Sequence, residues 1–237
     1  LIPGHSPNLN TAHYDVLKKL IEFSKKEYKA EKYALIMWGH GTGWRNKANT
    51  STNSSRAFAI DESANSYMTN AEFGKAIKGQ GLSIVGFDTC FGGMIETAYE
   101  IKNDATIMIA SEGNIPAAGW NYTDLFSSFT KTDLSIIEFS NAAHTQFKNQ
   151  YKTVPKSCIS TIDLSQMQKL NDTFNLFSAK AATFIEDLAS RDNVLDSILK
   201  ETLTFSSSSY PCDLCIDIAS FSKNMKRLFP ALEAYEQ

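Results

Sequence analysis

The chain has 237 residues, of which 43% are hydrophobic, and a formal net charge of −3. That is enough apolar material for one large domain spanning 1–237 and excludes general disorder, while the small negative charge excludes the broad basic footprint of a nucleic-acid-binding protein. No apolar run approaches the roughly 18 residues needed to cross a bilayer, and four cysteines are too few for a disulfide framework at this length.

Strand-like and helix-like segments alternate along the sequence. Over 12–28, Val16, Leu17, Leu20, Ile21 and Tyr28 share one helical face, with lysines opposite. Residues 33–38 predict a strand, and 45–56, rich in Asn, Ser and Thr, an exposed loop. A short strand follows at 57–61. Thr69 and Glu72 have capping-box spacing, which predicts a helix running to about Lys78. Residues 82–88 predict a strand and Met94, Ile95, Ala98, Tyr99 and Ile101 the helix after it. The run at 106–111 is apolar on both faces, as in the middle of a parallel sheet. Helices are predicted at 121–130 and 133–149, a strand at 157–162, and a long amphipathic helix from Leu164 through Leu188. A linker at 206–209 and a last helix at about 217–229 complete the reading. The alternation predicts an α/β fold with a largely parallel sheet and no internal repeat.

Two strands end in the same way. The first runs into His40, which stands between Gly39 and Gly41; the second ends in Asp88-Thr89-Cys90, with Gly92 and Gly93 close behind. Ligands bind beyond the carboxyl ends of the strands in an open parallel sheet, so neighbouring strands would bring His40 and Cys90 together. A thiolate is a strong nucleophile, and an imidazole can generate it and then protonate the leaving amine. The flanking glycines would let a substrate backbone approach and would expose the amides of Gly41 and Cys90 as oxyanion donors. The helix after the double glycine should aim its positive end at Cys90. Taken alone, a strand-end cysteine is more often a small buried hydrophobe, and a loop histidine is more often structural. The pairing raises the catalytic reading, since caspases also place their histidine about 50 residues before the cysteine.

These residues carry a resemblance. YALIMWGHGTGW, AIDES, FDTCFGG, MIASEGNIPAAGW and CISTIDLSQM occur in the order found in the clostripain family of cysteine peptidases, which shares a caspase-like fold with gingipains, legumain and caspases. The resemblance covers roughly residues 33–167. It implies a caspase-like three-layer α/β/α sandwich, endopeptidase activity after basic residues, and a His40–Cys90 dyad. It matches Asp88 to an acid that reads P1, the residue before the cleaved bond. It also implies protein or peptide substrates, a secreted or cell-envelope location, and self-cleavage between histidine and cysteine. The 45–56 loop, with Arg45, Lys47 and Arg56, is the candidate processing segment. The family's first strand is missing ahead of residue 12, so a longer N-terminal piece is expected to precede Leu1.

The chain departs from the family at Ala118, where members carry a second P1-reading acid. Glu112 is the nearby acid that could compensate, and Trp120 could wall the pocket or belong to the core. Strictness toward basic P1 is therefore open. No cofactor is expected: the family raises calcium, but Asp61-Glu62 alone is not a coordination shell. Cys212-x-x-Cys215 has half of a zinc spacing without a second half, and reads as a redox pair or disulfide. His5, His13 and His144 read as surface residues. Two alternatives stand beside the peptidase: a catalytically silent binding protein on the same fold, and a thiol acyltransferase or amidase acting on a non-peptide substrate.

Overall fold

The computed structural model describes residues 9–43, 59–127, 129, 134–155, 157–186, 191–205 and 215–228. The predicted loop at 45–56 and the linker at 206–209 lie outside these residues. The chain divides into two compact units, Leu1–Met167 and Gln168–Gln237.

In the first unit, α1 (Tyr14–Glu27) is capped by His13, whose ring nitrogen accepts from the Asp15 amide. The strands β1 (Ala34–Trp38), β4 (Leu82–Asp88), β5 (Ala105–Ala110) and β6 (Ser160–Asp163) form one sheet in that order, among the described residues. β1, β4 and β5 run parallel, and β6 is antiparallel to β5. A separate hairpin joins β2 (Ala59–Asp61) to β3 (Ser66–Met68). The second of these strands has no sequence signature, being only three residues long; its one cue is Asn65, which takes the left-handed conformation of the turn, φ 46°.

Helices cover both faces of the sheet. On one side, α2 (Asn70–Ile77) and α3 (Ile95–Ile101) accompany Val85, Phe87 and Met108, none of which has any solvent exposure; Phe73 of α2 meets Phe87 with ring centroids 5.2 Å apart. On the other, α5 (Ile136–Tyr151) lays Phe139, Ala143, Phe147 and Tyr151 on Ile84, Ile107 and Ile109, together with Trp120 and with Leu125 of α4 (Tyr122–Ser127). Alternation along β4 puts Ile84, Gly86 and Asp88 on this second face.

The second unit holds most of α6 (Met167–Glu186), with α7 (Arg191–Glu201) and α8 (Ile218–Leu228). Phe177 and Ala181 of α6, Ile198 of α7 and Met225 of α8 form its apolar cluster. α7 was not among the predicted elements, although Val194, Ile198 and Thr202 lie on a helical period. Cys215 is disulfide-bonded, so it is not available as a metal ligand.

Candidate active site

The register of β1 on β4 fixes the centre of the site. Trp38 stands opposite Asp88, the last pair of the ladder, and the Gly39 amide donates to the Asp88 carbonyl at 3.4 Å. His40 and Cys90 follow two residues later on their own strands, so both leave the sheet at the same level of adjoining strand ends. His40 is exposed; Cys90 is a half-buried free thiol.

Cys90 sits on a tight turn rather than on the strand itself. Phe91, next in sequence, has φ 55°, a left-handed conformation that costs a non-glycine residue on the order of 1–3 kcal/mol. Burial of its ring and two hydrogen bonds hold the turn: the Phe91 amide donates to the Gly113 carbonyl at 2.9 Å, and the Gly93 amide to the Ser111 carbonyl at 2.7 Å. α3 begins at Ile95, with Met94 as an N-cap that offers no side-chain hydrogen bond, so the helix starts slightly later than the double glycine suggested.

The glycines serve close packing between chain segments. A Cβ on Gly92 would strike Phe87, and one on Gly93 would come within 3.0 Å of the Glu112 amide nitrogen. A Cβ on Gly41 would collide with the Cys90 carbonyl oxygen and stand 2.7 Å from Thr89 Oγ1. The His40 loop is thereby seated directly on the backbone that carries the thiol.

The loop after β5 touches both Cys90 and Asp88. The Ile115 amide donates to Cys90 Sγ at 3.3 Å, and the thiol lies 3.6 Å from the Ile115 carbonyl oxygen. Asp88 is 2% exposed. Its Oδ2 accepts the Trp120 amide at 2.9 Å and the Tyr122 hydroxyl at 2.8 Å, while Oδ1 is buried without a hydrogen-bond partner among the described residues. Burial raises the Asp88 carboxyl above its ordinary range against the lowering effect of those two hydrogen bonds. Burial and the facing Asp88 carboxylate push the Tyr122 hydroxyl upward as well. Gly119, at φ 64°, closes over Asp88: a Cβ there would be 2.6 Å from Oδ2 and 3.1 Å from the indole nitrogen of Trp38.

Of the residues singled out from sequence, His40, Gly41, Asp88 and Cys90 converge on these strand ends. Glu112 is half-buried at the start of the loop after β5, and Ala118 is exposed. The Trp120 ring is 5% exposed and lies in the core, its Cη2 3.0 Å from where a Gly86 Cβ would stand; what it turns toward Asp88 is its backbone amide. Asp61 is filled by its own chain, accepting from Thr11, Ser63 and Ala64, and among the described residues no cluster of metal-ligating side chains is present. Sequence reasoning missed Trp38, 68% exposed beside Asp88, as well as Tyr122 and Ile115. Their roles arise from the fold of the 111–122 segment, and nothing in their local sequence marks them.

Residues 2–235 match the sequence profile of the clostripain family. The chain belongs to the clostripain family. The clostripain of Hathewaya histolytica is 32% identical over 131 residues, covering 49% of this chain and 24% of that protein. The X-ray structure of an inactive zymogen C11 protease from Parabacteroides distasonis superposes over 98% of this chain and 61% of its own, at 18% identity and TM-score 0.65. A secreted C11 cysteine protease from Bacteroides thetaiotaomicron, solved with an irreversible peptide inhibitor, matches 94% of this chain and 61% of its own, at 19% identity and TM-score 0.63. The fold is thus that of the caspase-like proteases, and the chain spans about a quarter of clostripain's length. Among the described residues, no helix is long and apolar enough to cross a membrane.

Proposed function

We propose that this chain forms the catalytic part of a cysteine endopeptidase with His40 and Cys90 as its dyad. The observation that carries the reading is the β1–β4 register, which ends the two strands side by side and seats Gly41 on the Cys90 carbonyl. His40 takes the Cys90 proton, and the thiolate attacks the scissile carbonyl carbon. The carbonyl electrons move onto oxygen, where the Gly41 and Cys90 amides donate to it. Collapse breaks the C–N bond, and the amine departs with the proton from His40. A water, deprotonated by His40, then attacks the thioester; the carboxylic acid product leaves and the thiol is restored.

Asp88 Oδ1 is the oxygen left over for a P1 arginine or lysine, since Oδ2 is held by Trp120 and Tyr122. Because Asp88 is buried, that side chain reaches it only if the covering groups give way. The Trp38 indole is the more exposed of them, at 68%. A secreted or envelope location and self-cleavage within 45–56 belong to the same reading, supported by the family and by the secreted relative. A panel of fluorogenic peptides varied at P1 tests it: cleavage after Arg or Lys that is lost in Cys90→Ala and in His40→Ala is expected, and a panel with no cleaved member would remove the reading. The catalytically silent alternative is favoured by one observation, the Ile115 backbone lying against the Cys90 sulfur.

A further inference from the structure

Beside the proposed site, on the α5 face of the sheet, lies a cavity of about 550 Å³ lined by His144 and Lys148 of α5, by Lys152 at the C-cap of that helix, and by Ser157 and Cys158 of the segment leading into β6. None of its lining residues is acidic, and neither lysine has an ion-pair partner among the described residues. His144 Nε2 is bonded to Thr161 Oγ1 at 2.8 Å, and burial lowers its pKa, so the cavity's positive charge comes from the lysines. His144 is half-buried, not the surface residue its polar sequence neighbours suggested, because its helix face meets β6.

The cavity is built into the same end of the sheet as Cys90. Cys158 Sγ lies 3.4 Å from Ser111 Oγ, which in turn accepts the Gly113 amide at 3.1 Å; Gly113 holds the turn of Cys90. The same stretch of α5 grips the loop over Asp88, since Gln150 and Tyr151 both donate to the Gly119 carbonyl. From β4, whose end leads into the turn of Cys90, to β6 is two strand spacings, about 10 Å. An extended peptide crossing the strand ends at about 3.3 Å per residue covers that distance in about three residues.

We infer that this cavity is a substrate subsite for an acidic side chain, aspartate or glutamate, three or four residues from the cleaved bond. The inference rests on the peptidase reading. Phe147, Tyr151, Val154 and Ile159 give the lining apolar surface for the methylenes of such a side chain, and its carboxylate finds complementary charge in Lys148 and Lys152.

The test is a set of otherwise identical peptides, one basic residue at P1, in which glutamate or glutamine is placed at each of the four positions on either side of the cleaved bond. At one position three or four residues away, glutamate should exceed glutamine in kcat/KM by about threefold to tenfold, the range for one or two partly exposed charge pairs. The preference should shrink with added salt and vanish or invert in K148E/K152E. No preference at any such position, or one that K148E/K152E leaves intact, overturns the inference. A wild-type protein that cleaves no peptide would instead defeat the peptidase reading. The cavity is then judged by fluorescence anisotropy of labelled glutamate and glutamine peptides on the Cys90→Ala chain: tighter binding of the glutamate peptide, abolished by K148E/K152E, supports the subsite, and equal binding refutes it.

Discussion

Gly41 lies so close to the Cys90 carbonyl oxygen that no side chain fits between them. The obstacle is backbone, so Gly41→Ala must move either the His40 loop or the turn of the nucleophile. Misplacement of a catalytic group by about 1 Å can cost on the order of a hundredfold. We expect kcat/KM to fall by about that factor or more while far-UV circular dichroism stays unchanged. A Gly41→Ala variant with wild-type kinetics would mean that this contact does not position the dyad.

Asp88→Asn separates activity from stability. If Asp88 reads a basic P1, removing its charge leaves the substrate cation unpaired, at a cost of about 2–5 kcal/mol, or about 30-fold to several-thousand-fold in kcat/KM at ~1.4 kcal/mol per tenfold. Neutral P1 substrates should lose far less; equal losses for both would make Asp88 a support for the Cys90 turn. Stability should move the other way. Asparagine still offers an oxygen to Trp120 and Tyr122 but carries no buried charge, so urea denaturation at neutral pH should find it as stable as wild type or stabler by up to about 2 kcal/mol.

The pH dependence has a defined sign. Asp88 is raised in the folded protein above its ordinary value of 3.8. As pH falls through the raised value the folded chain takes up a proton that the unfolded chain does not yet hold, so this group adds stability until about pH 3.8, where the unfolded chain protonates too. The advantage of Asp88→Asn should therefore narrow between neutral and mildly acidic pH. A constant gap would contradict the burial of an ionised Asp88.

How much of this was legible beforehand depended on the physics of each element. β4 and β5 announced themselves as apolar runs because most of their residues are buried on both faces, whereas β1, only partly buried, was marked by an apolar run that stops at the glycines around His40. Thr69 and Glu72 form the predicted capping box, since that motif is local. Ser135 and Glu138 form an identical box at the start of α5 that went unread. What sequence could not supply was the path of residues 111–122: the bonds of Tyr122 to Asp88 and of Ile115 to Cys90 join segments whose meeting only tertiary structure decides. Trp120 illustrates the ambiguity, because an aromatic residue after a strand fits a pocket wall and a core equally well until Gly86 is seen to make room for it.

Thr69→Ala tests the local part of the account. It removes the hydroxyl that accepts the Glu72 amide at 3.2 Å and donates to Glu72 Oε2 at 2.9 Å. Urea denaturation should show a loss of about 1 kcal/mol, with kcat/KM unchanged, since α2 lies on the opposite face of the sheet from α5.

Processing within 45–56 is read by intact-mass spectrometry of fresh and aged protein. Activity should rise as cleavage after Arg45, Lys47 or Arg56 accumulates, and Cys90→Ala should stop the cleavage. A single uncut chain with full activity would show that cutting is unnecessary.

The dyad itself is tested most directly by the site and rate of covalent labelling. The chain has two free thiols among the described residues, Cys90 and Cys158, and a peptidyl electrophile with a basic P1 can in principle alkylate either. Peptide mapping by mass spectrometry should find one adduct per chain, on Cys90, formed at least about a hundredfold more slowly in His40→Ala, the lower end of the range for a lost general base. Equal labelling of Cys90 and Cys158, or a Cys90 rate indifferent to His40, would contradict the account.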